Sequence, residues 1–241
     1  MAHSDEAAVA PNAPQGEGGP GSGIDFKKLQ RAPRDRSIRD LVVFDKTRKM
    51  IVYWTPFVAI TFGFGVSTAT SVWQVLGAIV FGVMVYTLVE YLMHRFIYHW
   101  EPESKLLRIL TADMGRSHMG HHREPHKYGG GINGNQRPII LFSSLIALGA
   151  WLTPFPTAFG LMATAAGAVN YVAQEFVHFG THHLPMSNRF AAAMKRHHMI
   201  HHYRDDNTNF GLFWPFWDWI LGTNFDARKT QKTPRGTPAQ R

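Results

Sequence analysis

The sequence predicts an all-α integral membrane protein, with four transmembrane helices arranged as two hairpins beneath a cytoplasmic helical cap. Three observations predict it. Residues 50–89 and residues 138–174 contain no Asp, Glu, Lys, Arg or His. All 25 Lys and Arg residues lie outside those two runs. Ten of the 14 histidines fall into four short boxes at the ends of the runs.

Each uncharged run exceeds the ~20 apolar residues that one span requires, so each is read as a helical hairpin. The first breaks at Ser67-Thr68-Ala69-Thr70-Ser71. The second breaks at Thr153-Pro154-Phe155-Pro156, because proline lacks a backbone donor and disfavours helix at the residue before it. The expected arms are 50–68, 72–93, 138–153 and 157–180. Overall mean hydropathy is only −0.16, an average that hides this segregation. Residues 1–25 read as a disordered leader rich in Ala, Pro and Gly. Residues 26–49 form a basic juxtamembrane segment, 50–226 the membrane domain, and 227–241 a basic disordered tail.

Charge sets the expected orientation. Nine Lys and Arg lie in 1–49, seven in 90–137 and nine in 184–241, with none in either hairpin turn. Cationic loops stay on the cytoplasmic side, so both termini, the central loop and all the histidine boxes are expected there, in a multi-pass protein. The net charge of +8 suits contact with anionic headgroups. No nucleic-acid motif is present. The absence of cysteine excludes disulfides and cysteine-ligated iron–sulfur clusters.

The boxes are His94-x4-His99, His118-x2-His121-His122, His178-x3-His182 and His198-x2-His201-His202. Neutral imidazole ligates zinc, iron and copper. A structural zinc uses four ligands, so ten imidazoles predict two metal ions in one histidine-rich cage. Residues three and four apart share a helix face, which brings together the members of the last three boxes. His94 and His99 are five apart. They pair only if the helix ends or bends between them, or if they serve different metals. Each HxxHH box is expected to divide its members between both ions. His3 and His126 are read as solvated, while His183 and His197 point away from the boxes they adjoin.

Glu90 precedes His94 by four residues, and Glu175 precedes His178 by three; each is the first charge after an uncharged run. A carboxylate at that depth is costly and is usually partnered. Glu90 and Glu175, with Asp218 and Asp113 as weaker candidates, are read either as partners that orient the ligating imidazoles or as markers of the headgroup boundary. Phe210, Phe213, Trp214, Phe216, Trp217 and Trp219 crowd the last box, as an interfacial belt or as the lining of a lipid chain.

An all-nitrogen metal pair beside a bilayer suggests oxygen chemistry on a lipid C–H bond, with protein groups placing the carbon and excluding water. Zinc would suggest hydrolysis, for which the cage has no free general base. A metal transporter would place its ligands mid-span, whereas these sit at helix ends.

These motifs resemble the integral-membrane fatty acid hydroxylase superfamily, the sterol desaturase type, and most closely its fatty acid 2-hydroxylase branch. The resemblance runs from Glu90 to Thr223. It is carried by the four boxes, by Lys195-Arg-His-His198, by Asn209-Phe-Gly211 and by Trp217-Asp-Trp-Ile-Leu-Gly-Thr223. It implies that the ten box histidines hold two metal ions, iron in the active enzyme or zinc in a purified form. It also implies O2 as co-substrate, a fatty acid or fatty-acyl chain as substrate, and one oxygen atom inserted at a C–H bond, the 2-position in that branch. Electrons are expected from a separate cytochrome b5-type protein or a ferredoxin with its reductase, since the His-Pro-Gly-Gly signature of a fused haem domain is absent. After box two, Pro125-His-Lys-Tyr-Gly-Gly-Gly replaces the branch's proline- and aspartate-rich stretch. Alternatives with the same cage are a lipid desaturase and a carotenoid or sterol hydroxylase. The sequence leaves the oligomeric state open.

Overall fold

The computed structural model describes residues 45–111, 113–123, 157–212 and 214–226, all of whose regular elements are helical. The expected arm 138–153, the leader, the loop after box two and the basic tail lie outside the described residues, as does most of the juxtamembrane segment.

Helix α1 spans Asp45–Ser67 and α2 spans Val72–Met93. The Ser/Thr-rich break between them is a capped turn. The Ser71 side chain accepts from the Gln74 backbone N–H, satisfying one of the donors that a helix start leaves unpaired. From Thr47 to Ser67 and from Val72 to Tyr98 the chain is long and apolar enough to cross a membrane. These two helices turn large apolar side chains outward, with Ile60 72% and Trp73 77% exposed. Apolar surface on that scale belongs against lipid or another protein.

Helix α5, Thr157–His183, is of a different kind. Its start was legible at Pro156, but most of its side chains are buried. It packs against both α1 and α2. It begins beside the α1–α2 turn, where Ala158 and Met162 approach Gly65, and runs parallel to α2. Farther along, Trp54 of α1 and Tyr86 of α2 both pack edge-on or tilted against Tyr171. Tyr86 donates to Gln174 Oε1 at 2.7 Å, pairing a polar group within the bundle.

Small residues let α2 and α5 approach closely, as Gly and Ala do at tightly packed helix pairs. A Cβ built on Gly82 would lie 2.0 Å from the Ala163 carbonyl oxygen. Gly82→Ala is therefore expected to destabilise the bundle by about 1–3 kcal/mol, as overpacking of a rigid contact does. Thermal unfolding of the two proteins in the same detergent measures it; an unchanged midpoint would contradict this packing.

Four shorter helices complete the described chain: α3 (Lys105–Leu110), α4 (Met114–Arg123), α6 (Arg189–Tyr203) and α7 (Phe216–Leu221). Asn188 caps α6, its side chain accepting from the Ala191 N–H at 2.8 Å. Lys195 of α6 is buried and donates to the Leu184 carbonyl at 2.9 Å, a cation closing the C-terminal end of α5. Trp217 of α7 donates to Thr87 Oγ1 of α2, tying the C-terminal segment to the long helix.

Candidate metal centre

The histidine boxes meet where α2 and α5 end. At 1.5 Å per residue, His94 lies about 33 Å along α2 from Val72, and His178 about 32 Å along α5 from Thr157. These two matching lengths put both boxes at one level. The short helices α4 and α6 carry the other two boxes to the same place.

The structure gathers all ten box histidines into two clusters of five. His94, His99, His118, His122 and His201 form one; His121, His178, His182, His198 and His202 form the other. In each, one nitrogen from every ring lies within 4.8 Å of all the others. The two HxxHH boxes divide between the clusters. His118 and His122 face one and His121 the other; His201 faces one, His198 and His202 the other. The clusters adjoin, with the His122 and His202 rings stacked at 4.1 Å.

His94 and His99 reach the same cluster through a π-helical turn, His94–Tyr98, that ends α2. Residues five apart do not share an α-helical face, but the i→i+5 repeat of a π turn stacks them. That local change in winding is the bend this spacing requires.

The nitrogens suit bound metal. The facing Nε2 atoms are separated by 3.0 Å for His94 and His118, 3.0 Å for His118 and His122, and 3.2 Å for His99 and His201. In the second cluster the values are 3.0 Å for His121 and His178 and 2.9 Å for His182 and His198. Two imidazoles at right angles around one ion, each about 2.0–2.1 Å from it, would stand about 3 Å apart. Both ring nitrogens of His202 are buried and have no hydrogen-bond partner among the described residues. A buried polar atom left in that state needs a partner, and a cation supplies one. Each donor set is five imidazole nitrogens, which fits iron, copper or zinc and suits calcium or magnesium poorly.

Backbone carbonyls set two of the tautomers. His94 Nδ1 donates to the Phe210 carbonyl, and His201 Nδ1 donates to that of Thr208 at 2.7 Å. A carbonyl only accepts, so the proton sits on Nδ1 and the Nε2 lone pair is free for a metal. Asn209, between these two residues, adopts a left-handed backbone (φ 57°), which Asn tolerates better than most residues. Its N–H donates to the Thr223 carbonyl and its side-chain amide to that of His197.

Asp218 is fully buried. It accepts from the Phe210 and Gly211 backbone N–H groups, from Thr223 Oγ1 and from His197 Nε2, at 2.7–3.0 Å. It therefore grips the loop that carries the His94 acceptor. Glu90 is also buried and faces the Leu212 backbone, so it too meets this loop. Glu175 is buried one turn before His178. Asp113 is half-buried and pairs with Arg116. The carbonyls of Phe210 and Thr208 had no signal of their own in the sequence; only the Asn209-Phe-Gly211 motif marked their position. His197, expected to point away from its box, does so and bonds Asp218. His3 and His126 lie outside the described residues.

Residues 79–223 match the family model described as fatty acid hydroxylase, which is more than half of the chain. The chain belongs to the fatty acid hydroxylase family. Membership makes it an enzyme of lipid hydroxylation, and its curated relatives lie in the 2-hydroxylase branch. It is 27% identical over 184 residues to the dihydroceramide fatty acyl 2-hydroxylase FAH1 of Arabidopsis thaliana, covering 76% of this chain and 74% of that one. It is 31% identical over 177 residues to the ceramide very long chain fatty acid hydroxylase SCS7 of Saccharomyces cerevisiae, covering 71% and 44%. It is 28% identical over 153 residues to the fatty acid 2-hydroxylase of Rattus norvegicus, covering 61% and 39%. The matched region is thus less than half the length of the yeast and rat proteins. A solved structure, described as full-length scs7p with only the hydroxylase domain visible, superposes with a TM-score of 0.63 at 29% identity, covering 78% of this chain and 68% of that one.

Burial governs the protonation of this hydroxylase-family cage. It holds His118, His198 and His202 well below the usual imidazole range, and neighbouring imidazoles push the same way. His122 is pushed down to about 2. His201 is pushed to about 3 by burial, with its bond to Thr208 opposing. In the unfolded chain these groups titrate near pH ~6.5. Below that pH the unfolded chain takes up protons that the folded cage refuses, so stability falls with pH. The expected loss is roughly 1–2 kcal/mol per buried histidine between about pH 7 and about pH 5, with metal released alongside. Thermal unfolding of the metal-free protein across that range measures it; a flat profile would contradict a neutral cage.

Proposed function

We propose that this chain is an O2-dependent lipid hydroxylase that converts a C–H of a fatty-acyl chain to C–OH, at or near the 2-position, at a histidine-bound metal pair. In this reading His94, His99, His118, His122 and His201 hold one ion and His121, His178, His182, His198 and His202 the other. Such a pair, most simply iron, supplies the oxygen activation that an unactivated C–H requires.

The carrying observation is where the two clusters sit along the apolar helices. A bilayer's hydrocarbon core is about 30 Å thick, and His94 and His178 lie just beyond that length of helix. A lipid standing in the same leaflet brings its first acyl carbons to that level and leaves its distal carbons deep in the core. The cage therefore meets carbons next to the headgroup linkage, which favours position 2. The names of the relatives, which act on dihydroceramide, ceramide and fatty acid, point the same way. The outward apolar side chains of α1 and α2 keep the protein in the phase where the substrate is dissolved. The carbonyls of Phe210 and Thr208 hold two rings with Nε2 facing inward, and burial keeps the cage imidazoles neutral and water scarce.

In the same proposal the membrane domain spans 50–226, α5 and residues 138–153 complete four spans, and the cage and both termini face the cytoplasm. Electrons come from a separate cytochrome b5-type or ferredoxin partner.

Lipid mass spectrometry on cells expressing the chain tests this. A fatty-acyl lipid one oxygen heavier, with fragments placing the hydroxyl at carbon 2, is the expected product. Loss of two hydrogens would move the reading to a desaturase, and an oxygenated carotenoid or sterol would change the substrate.

A further inference from the structure

We propose that Asp218 is a positioning residue that acts on His94 through a single peptide group, and that it makes the two histidine clusters unequal in metal affinity. This rests on the reading of the clusters as metal sites.

The Phe210 carbonyl and the Gly211 N–H are the two ends of one peptide unit. The N–H donates to Asp218 Oδ2 at 2.8 Å, and the carbonyl accepts from His94 Nδ1. A carboxylate on the N–H end polarises the peptide and makes its carbonyl a stronger acceptor. The stronger that acceptor, the more basic the opposite Nε2 becomes. In many metal sites a carboxylate bonds the ligating imidazole directly; here a peptide is interposed.

The arrangement is built rather than incidental. Asp218 has no exposed surface, and its two oxygens accept four hydrogen bonds, saturating them. A Cβ on Gly211 would lie 2.8 Å from Asp218 Oδ2 and 2.3 Å from the Trp214 carbonyl, so only glycine permits this approach. A second chain returns to the π turn. Arg95 donates to the Tyr91 hydroxyl, Tyr91 bonds Thr223 Oγ1 at 2.8 Å, and Thr223 donates to Asp218. Asp218 is thus tied at both ends to the segment that carries His94.

The other cluster lacks this support at two of its members. The Nδ1 atoms of His198 and His202 are buried without a hydrogen-bond partner among the described residues. In the first cluster His94 and His201 both have one. The His94 cluster therefore binds metal more tightly and fills first.

The test uses full-length protein in detergent, stripped of metal and titrated with Co2+ against a chromophoric chelator. The expected wild-type result is two equivalents bound in two resolved steps. His118→Ala should remove the tight step and His198→Ala the weak one. Asp218→Asn should weaken the tight step about 10–100-fold and shift its cobalt absorption bands, leaving the weak step in place. The exposed Glu103→Gln should change neither. Should Asp218→Asn fail to fold, the order of loading read from wild type, His118→Ala and His198→Ala still decides the inequality. Two equal steps, a tight step belonging to the His198 cluster, or equal weakening of both steps by Asp218→Asn would overturn the inference and leave the metal-site reading standing. No cobalt bound at all would overturn both.

Discussion

Replacing His201 with Ala is expected to empty one metal site and to lower lipid hydroxylation by more than about 100-fold, beyond the 10–100-fold loss typical of groups that merely orient a ligand. His201 is fully buried, its Nε2 faces His99 at 3.2 Å, and its Nδ1 is anchored on Thr208. Alanine leaves the rest of α6 intact while removing one of five nitrogens. The checks are metal content per chain and the amount of oxygenated lipid. Metal should fall from two ions toward one, and product to the background of cells without the protein. His183→Ala makes the comparison sharp. His183 is also buried but packs on Phe179, outside both clusters. It should lower stability and retain both metals. Equal metal loss in the two variants would contradict the assignment of the clusters.

Gly115→Ala is expected to be as damaging without touching any imidazole. Gly115 lies in the first turn of α4, against the end of the π turn. A Cβ there would lie 1.7 Å from the Trp100 carbonyl oxygen. Backbone cannot swing aside as a side-chain tip can, so α4 must move. That helix supplies His118 and His122 to one cluster and His121 to the other. One methyl group should therefore lower metal content at both sites together, with a stability loss of about 3 kcal/mol or more. Metal analysis and thermal unfolding on the same preparation test it. Loss confined to one cluster would show that α4 is not the shared support.

The gathering of the ten box histidines was legible because imidazoles at helical spacing leave a pattern in sequence. The boundaries at Ser67–Ser71 and at Pro156 were legible because capping and proline chemistry are local. The π turn was not, since a five-residue spacing fits no α-helical face and winding depends on what packs around it. The acceptors at Phe210 and Thr208 left no mark because every residue carries a carbonyl. Asp218 was read only as a candidate partner for a ligand. Its route through the Gly211 peptide depends on a loop folding back over α7. The burial of α5 between α1 and α2 was hidden too. Its uncharged stretch looks like a lipid-facing arm, while Asn170, Gln174 and the small residues Gly160, Ala163 and Gly167 fit an interior helix better.

The most direct test is growth of cells expressing the chain under 18O2, followed by mass spectrometry of their fatty acyl groups. The account predicts a hydroxylated acyl chain carrying one 18O, placed by fragmentation at carbon 2 and absent from the His201→Ala strain. Hydroxyl oxygen derived from water, or oxygenated lipid that persists in His201→Ala, would contradict it.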